Sequence, residues 1–289
     1  MRNTEKKRNQ LVSVHGGHSG QFCLHAKDSL EEIVRAYLTK GFAWVGLTEH
    51  VPPASDAWRY LDEIEAGLSA ADLHNRFKKY IQEARRLQEL FQDQLPILVG
   101  MEIETCRGCL EFAEGLRQEF QPDYIVGSVH FVEDICFDYS REEYLRAAKQ
   151  VGGIEELYCH YFDLQYEMLQ QLKPEVVGHF DLIRLFDDRY HERLALPRIW
   201  RKVVRNLELI KQHNFILDLN LRPLLKGGSE PYNSRPILEL ARDMHILVVP
   251  GDDSHSVSTV GCHMTAGIAL LTRLGFNTDW PRPDQLSST

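Results

Sequence analysis

Short apolar runs alternate with longer amphipathic segments along this chain. The runs are rich in Val, Ile and Leu and span 11–15, 43–48, 96–102, 124–129, 175–178, 214–219 and 246–250. Such near-continuous apolar runs are typical of strands that are buried on both faces. Helical spacing of apolar residues covers about 71–93, 109–119, 141–149, 154–172, 194–213, 235–243 and 263–274. Strands that alternate with helices predict a parallel sheet with helical crossovers.

The first crossover helix has both of its ends marked. Asp28 is a candidate N-cap, and Glu31 three residues later resembles the second half of a capping box. A single apolar stripe follows, formed by Leu30, Ile33, Val34, Tyr37 and Leu38. Gly41 stands where a glycine typically follows the last turn. We therefore predict a helix that ends just before Gly41.

Histidines and acidic residues follow most of the predicted strands. The segments are LVSVHGGHSGQFCLH (11–25), WVGLTEH (44–50), ILVGMEIE (97–104), YIVGSVH (124–130), EVVGH (175–179) and ILVVPGDDSH (246–255). An open doubly wound sheet would spread these strand ends along a long edge, whereas a closed ring brings them to one centre. We therefore predict a distorted (β/α)₇ barrel, related to the TIM fold and one unit short, as a single α/β domain.

Imidazole and carboxylate groups together favour a metal centre. They are the ligands that Zn, Mn and Fe bind in proteins. A single histidine at a strand end is more often a hydrogen-bonded structural residue. Packing does not explain why histidine or acidic residues follow six different strands. The other histidines, such as His74, His160, His191 and His213, show no such placement. The pattern predicts a multinuclear metal hydrolase.

Bulk composition limits the classes of partner. The chain has 289 residues, 43% of them hydrophobic, and a formal net charge of −9. We predict one domain over 11–289 after a disordered tail at 1–10. Long basic runs and apolar runs of membrane-spanning length are absent, which argues against nucleic acid and membrane partners. These features favour a soluble cytoplasmic protein, as a monomer or small homo-oligomer, that acts on a small molecule.

The six cysteines are scattered, as is typical of free thiols in a reducing compartment. Cys106 and Cys109 form a lone C-x-x-C, without the second pair or the fold context that would indicate a redox or zinc site. Cys23 lies among the candidate ligands. We interpret it as a structural thiol in preference to a nucleophile or a metal ligand.

The ordered motifs resemble the polymerase and histidinol phosphatase (PHP) family, and within it the monofunctional histidinol-phosphatase type of fungi and bacteria. They are HSGQFCLH (18–25), TEH (48–50), GME (100–102), GSVH (127–130), GHFD (178–181) and DDSH (252–255). The resemblance runs from about residue 11 to residue 276. It implies a distorted (β/α)₇ barrel with two or three divalent ions, and hydrolysis of L-histidinol phosphate to L-histidinol and phosphate by metal-bound hydroxide.

The resemblance also implies a ligand set. The implied metal ligands are His15, His18, His25, His50, Glu102, His130, His179, Asp253 and His255. Glu102 is expected to bridge two ions and, with Asp253 and His255, to carry catalysis. Glu49 is expected to act through the ligands or to serve as an occasional ligand. Glu104 and Asp181 lie near the ligands and are expected at most to act through them. A Ser-His-Asp triad is disfavoured, because the chain lacks a G-x-S-x-G turn.

Two positions depart from the family pattern. The family opens with H-x-H, whereas this chain reads His15-Gly-Gly-His18. A bulge at the two glycines would return His15 to the metal side. The arginine that relatives carry in the 219–226 segment aligns with Leu225, so Arg222, Lys226 or Arg184 is predicted to hold the phosphate.

Two other functions remain open from the sequence. The chain could be a PHP-family phosphoesterase with a different phosphate ester as substrate, or a homologue that has lost turnover. A polymerase-associated module is disfavoured by the short, acidic, unfused chain.

Overall fold

The computed structural model describes residues 9–286, so most of the predicted tail at 1–10 lies outside the described residues. Nine strands occur in this part of the chain: β1 Val12–Ser13, β2 Trp44–His50, β3 Ile97–Ile103, β4 Tyr124–Gly127, β5 Phe131–Val132, β6 Ile135–Cys136, β7 Val176–Val177, β8 Ile216–Asn220 and β9 Leu247–Gly251. Seven of them coincide with the seven predicted strands. The short β5–β6 hairpin was not predicted, because Glu133 and Asp134 interrupt its apolar residues and leave no continuous apolar run.

The helices lie between the strands. They are α1 Leu30–Thr39, α2 Leu61–Glu65, α3 Ala70–Phe91, α4 Cys109–Phe120, α5 Arg141–Val151, α6 Ile154–Gln171, α7 Tyr190–Leu194, α8 Pro197–His213, α9 Arg222–Leu225, α10 Arg235–Asp243 and α11 Met264–Leu274. The helix predicted over 194–213 begins at Pro197 instead. Proline fits the first turn of a helix, where its missing N–H needs no partner.

The N-cap of α1 is Ser29, so the prediction of Asp28 is wrong by one residue. The Ser29 side chain accepts a hydrogen bond from the Glu32 backbone, and the Glu32 carboxylate accepts one from the Ser29 N–H. Asp28 instead has φ +64° and accepts a hydrogen bond from the Val257 N–H. Gly41, with φ +73°, follows the C-cap Lys40 as predicted.

Seven parallel strands form the barrel. Their order is β1-β2-β3-β4-β7-β8-β9, and every neighbouring pair is parallel. Backbone hydrogen bonds link the ends of the first and last strands. The Val14 N–H donates to the Pro250 carbonyl at 3.0 Å, and the Asp253 N–H donates to the His15 carbonyl at 2.8 Å. The predicted (β/α)₇ barrel is confirmed. Its closure places the carboxyl end of every strand around one centre, where such barrels carry their chemistry.

The loop after β2 contributes a wall above this centre. Residues 51–70 contain the short helix α2 and a 3₁₀ turn at Asp56–Trp58. Tyr60 and Asp62 from this loop face the cavity at the barrel mouth. No helix within residues 9–286 has both the length and the apolar character to span a bilayer.

Candidate metal centre

Glu102, near the end of β3, lies at the centre of a buried polar cluster. Its Oε1 atom is 3.0 Å from His179 Nε2 and 3.5 Å from His130 Nε2. Its Oε2 atom is 3.2 Å from His15 Nε2 and 3.2 Å from His50 Nδ1. The two carboxylate oxygens therefore face different groups of imidazoles, which is the arrangement that a bridging ligand requires.

The HGGH segment directs both of its histidines into this cluster. Gly17 takes φ +76°, a conformation that favours glycine. A Cβ on Gly16 would lie 2.6 Å from Oδ1 of Asp252, so this position also excludes a side chain. His18 Nε2 lies 3.8 Å from Glu102 Oε2 on the same side as His15. The extra residue is thus accommodated in the turn.

Asp253 and His255, which follow β9, complete the opposite side. Asp253 Oδ1 lies 3.4 Å from His18 Nε2 and 3.4 Å from His255 Nδ1. The rings of His18 and His255 are stacked with centroids 4.2 Å apart. These contacts place the ends of β1 and β9 side by side, as the barrel order requires.

The donor atoms fall into overlapping groups in which all ligand atoms lie within 4.8 Å of one another. The groups are His15–His18–Glu102, His15–His179–Asp253, His18–Asp253–His255, Glu102–His130–His179 and Cys23–His25–His50–His255. All nine predicted ligands occur in at least one group. The structure therefore brings the whole predicted set to one place.

The acidic and imidazole groups of the cluster strongly shift one another's pKa values. Burial alone would lower the pKa of His50 and His130, but Glu102 and Glu104 raise the first to about 9 and the second to about 10. Burial would raise the pKa of Glu102, yet His15 and His50 hold it well below its usual range. The carboxylate of Glu102 is thus anionic at neutral pH, and histidines beside it hold protons that a metal ion would displace.

Buried carboxylates orient several imidazoles from behind. Glu104 Oε2 lies 2.6 Å from His130 Nδ1, and Glu49 Oε1 lies 3.2 Å from His18 Nδ1. Both acidic residues were expected near the ligands. Asp181 lies farther away, where its Oδ2 accepts a hydrogen bond from the Ser234 N–H at 2.9 Å.

Asp218 is a functional candidate that the sequence interpretation missed. It is fully buried in β8, and its Oδ2 atom lies 2.9 Å from His15 Nδ1. A carboxylate behind an imidazole fixes the tautomer, so that the opposite ring nitrogen can bind a metal. The available signal was a charged residue in the apolar run ILDLN, but no histidine marked this strand end.

A cavity of about 270 Å³ opens above the cluster. Its walls carry charges of both signs: Arg222 and Lys226 from the segment after β8, and Asp62 and Asp138 from other loops. Arg222 Nη1 donates to the Asp253 carbonyl at 2.8 Å and lies beside His255. The cavity can therefore accept a molecule with both an anionic and a cationic end.

Arg184 is the predicted substrate contact that the structure does not bring to the cavity wall. Its guanidinium donates to the Pro231 carbonyl at 2.7 Å and lies 3.2 Å from Asp181 Oδ2. It also stacks over the ring of Tyr232, with 4.6 Å to the ring centroid. Tyr232 lines the cavity, so Arg184 supports the wall from behind.

Comparison with known proteins identifies the family. Residues 16–222 match the sequence model of the PHP domain. The chain belongs to the PHP-domain family. It is 35% identical over 271 residues to a probable histidinol-phosphatase of Schizosaccharomyces pombe, covering 92% of this chain and 88% of the relative. It is 29% identical over 281 residues to histidinol-phosphatase of Saccharomyces cerevisiae, covering 86% and 84%.

A solved structure of a PHP-family protein shares the fold. It is histidinol phosphate phosphatase from Lactococcus lactis, in complex with zinc, L-histidinol and phosphate. The TM-score is 0.71 with 18% identity, and the match covers 94% of this chain and 95% of that chain. Because the two sequences are only 18% identical, this structural similarity supports the barrel fold alone.

The donor atoms of this PHP-domain chain fit divalent metal ions. Among the described residues, His15 Nε2, His18 Nε2, His50 Nδ1 and His179 Nδ1 are buried without a well-formed hydrogen bond, although His15 Nε2 and His50 Nδ1 each lie 3.2 Å from Glu102 Oε2. Buried polar atoms are normally satisfied, so imidazole nitrogens that face a carboxylate without such a bond indicate that an ion belongs between them. Neutral imidazole with carboxylate is a suitable donor set for Zn, Mn or Fe.

The two cysteines of the C-x-x-C segment lie side by side. The Cα atoms of Cys106 and Cys109 are 5.2 Å apart. The turn before α4 brings the two side chains together, because Cys109 N donates to the Cys106 carbonyl. The free cysteines among the described residues are Cys23, Cys136, Cys159 and Cys262.

Proposed function

We propose that this PHP-domain protein is a metal-dependent histidinol-phosphatase, which hydrolyses L-histidinol phosphate to L-histidinol and phosphate. The observation that carries the proposal is the placement of Glu102, whose two oxygens face separate groups of histidines. Phosphate monoesters hydrolyse extremely slowly without a catalyst, and multinuclear metal sites are a known solution to this barrier. The names of the relatives supply the substrate.

The ligand groups suggest two or three ions, drawn from Zn, Mn and Fe. Glu102 would bridge a position at His15 and His18 and a position at His130 and His179. His25, His50 and His255 would hold a third ion. When bound, such ions clamp phosphoryl oxygens and lower the pKa of water towards neutrality.

The chain's own residues would orient the substrate phosphate. Arg222 is fixed by the Asp253 carbonyl, so its guanidinium is pre-positioned beside the ligand cluster. Lys226 adds a second positive charge on the same wall. Guanidinium groups bind phosphate with two parallel hydrogen bonds, which makes Arg222 the better candidate for the role of the arginine expected at Leu225.

Carboxylates on other parts of the wall would hold the cationic end of the substrate. L-histidinol phosphate carries an amino group and an imidazole besides its phosphate. Asp138 is only partly buried, and its Oδ1 atom accepts a hydrogen bond from the weakly polar Cys136 thiol. Asp62 lies 3.9 Å from His25 at the cavity edge. An ammonium bound at Asp138 would place the phosphate towards Arg222 and the metal ligands.

A substrate panel tests the proposal. Protein loaded with Mn²⁺ or Zn²⁺ should release phosphate from L-histidinol phosphate, and should do so much more slowly from an imidazole-containing phosphate ester without the amino group and from a simple alkyl phosphate. Equal kcat/KM for all three esters would indicate a PHP phosphoesterase with another substrate. No release from any ester would contradict phosphatase function.

A further inference from the structure

Cys23 is a buried thiol directed towards the outer histidines of the metal centre. Its side chain is 6% exposed, and its Sγ atom lies 3.1 Å from His25 Nε2. The turn that presents it is held by a hydrogen bond from Cys23 N to the Ser19 carbonyl at 2.8 Å. Cys23 and His25 therefore approach the same point from one short loop.

Two further imidazoles surround this point. The ring of His25 has its centroid 5.2 Å from that of His50 and 5.2 Å from that of His255. One donor atom from each of these histidines and Sγ of Cys23 all lie within 4.8 Å of one another. Bond lengths of about 2.0–2.3 Å place two ligands of a tetrahedral zinc ion roughly 3.3–3.6 Å apart. The separation of 3.1 Å between Cys23 Sγ and His25 Nε2 is close to this spacing, and the other two donors lie within 4.8 Å of both atoms.

We propose that Cys23 is a metal ligand and that, with His25, His50 and His255, it forms a zinc site that is distinct in chemistry from the carboxylate-bridged positions at Glu102. The inference rests on the metal centre proposed above, and adds a sulfur ligand to it. A thiolate with three imidazoles favours zinc, whereas a site with carboxylates accepts manganese more readily. The chain would therefore hold two kinds of ion at one centre.

Cys136 provides a matched control. Cys136 lines the cavity above the metal centre, but its thiol donates to Asp138 Oδ1 at 3.2 Å and belongs to none of the ligand groups found among residues 9–286. A general effect of a cysteine near the site would appear at both positions. An effect of coordination would appear only at Cys23.

Cobalt spectroscopy tests the assignment without relying on turnover. Metal-free protein loaded with Co²⁺ should show a near-ultraviolet sulfur-to-cobalt charge-transfer band in the wild type and in Cys136→Ser. The band should be absent from Cys23→Ser, whose bound zinc should also fall by about one equivalent under competition with manganese. A wild-type protein without the band, or a Cys23→Ser protein that retains it, would overturn the assignment.

A second measurement covers the case in which Cys23→Ser does not fold. Zinc X-ray absorption on the triple variant Cys106→Ser/Cys109→Ser/Cys136→Ser should show a sulfur neighbour at about 2.3 Å, because Cys23 then remains as the cysteine next to the metal centre. Only nitrogen and oxygen neighbours would overturn the proposal. Phosphate release from L-histidinol phosphate, measured on the same samples, separates this failure from failure of the proposed function.

Discussion

The Nε2 atom of His15 lies 3.2 Å from Oε2 of Glu102, although two glycines separate His15 from His18. On the other side of the ring, Nδ1 of His15 lies 2.9 Å from Oδ2 of Asp218. The imidazole of His15 thus lies between two carboxylates. Asp218 orients the ring, and Glu102 would bind the same metal ion as His15. This arrangement is typical of histidines that bind metals.

His15→Ala and Asp218→Asn should both weaken metal binding. The first removes a ligand and the second removes the group that fixes its tautomer, so each should lower metal affinity by about 10–100-fold. Metal-buffered titrations measure the effect. His74→Ala is the control, because His74 pairs with Glu119 on the surface. Wild-type affinity in both variants would show that His15 is not a ligand.

Metal uptake should release protons at neutral pH. The pKa of metal-free His130 is raised to about 10 and that of His50 to about 9, both above the value of about 6.5 in the unfolded chain. Their ion pairs therefore stabilise the metal-free fold at neutral pH, and this contribution is lost as the pH rises through about 9 to 10.

Calorimetry of metal binding in buffers with different ionisation enthalpies measures these protons. At pH 7.5 we expect more than one proton released as the sites fill, and an apparent affinity that rises up to about tenfold per pH unit for each displaced proton. Binding that is independent of pH between 7 and 9 would show that these histidines do not exchange protons for metal.

Replacement of the two arginines near the site should affect different properties: substrate binding for Arg222 and stability for Arg184. Arg222→Leu should raise KM for L-histidinol phosphate by about 10–100-fold, the loss expected for a hydrogen bond between charged groups, with a small change in stability. Arg184→Leu leaves the buried Asp181 without its partner, so the free energy of unfolding should fall by about 3–5 kcal/mol. Kinetics and denaturant melts distinguish the two, and the reverse pattern would place the phosphate at Arg184.

Asp138→Asn should impair selection of the amino group. It keeps the size of the side chain but removes the charge that would hold an ammonium. We expect a higher KM for L-histidinol phosphate and an unchanged KM for an ester that lacks the amino group. If both substrates lose affinity equally, Asp138 supports the loop and does not bind the substrate.

The barrel could be predicted because the apolar pattern of the strands and the polar ligands at their ends indicate the same fold. The seven strands are apolar on both faces, and a polar ligand follows six of them, so β1 to β9 were recognisable apart from the short hairpin β5–β6. The Ser29 cap was misread by one residue, because Asp28 and Ser29 are both good N-cap residues. The sequence alone does not reveal which of the two accepts the bond.

The ligand set could also be predicted, whereas its surroundings could not. Asp218 carries no motif, and only the register of β8 against β9 and the turn at Gly17 bring it behind His15. Arg184 follows GHFD in the sequence and resembles a site residue, but a 3₁₀ turn at Leu182–Arg184 directs it behind Tyr232. These outcomes depend on tertiary packing, which short-range sequence patterns do not encode.

Titration of the metal-free protein with Zn²⁺ or Mn²⁺, with phosphate release from L-histidinol phosphate as the readout, tests the central claim most directly. The wild type should be inactive after chelation and regain activity as two to three equivalents bind. Glu102→Gln should stay folded but bind less metal and lose kcat by orders of magnitude, because its oxygens no longer bridge two ions. Activity that survives complete removal of metal, or near-wild-type turnover in Glu102→Gln, would contradict the account.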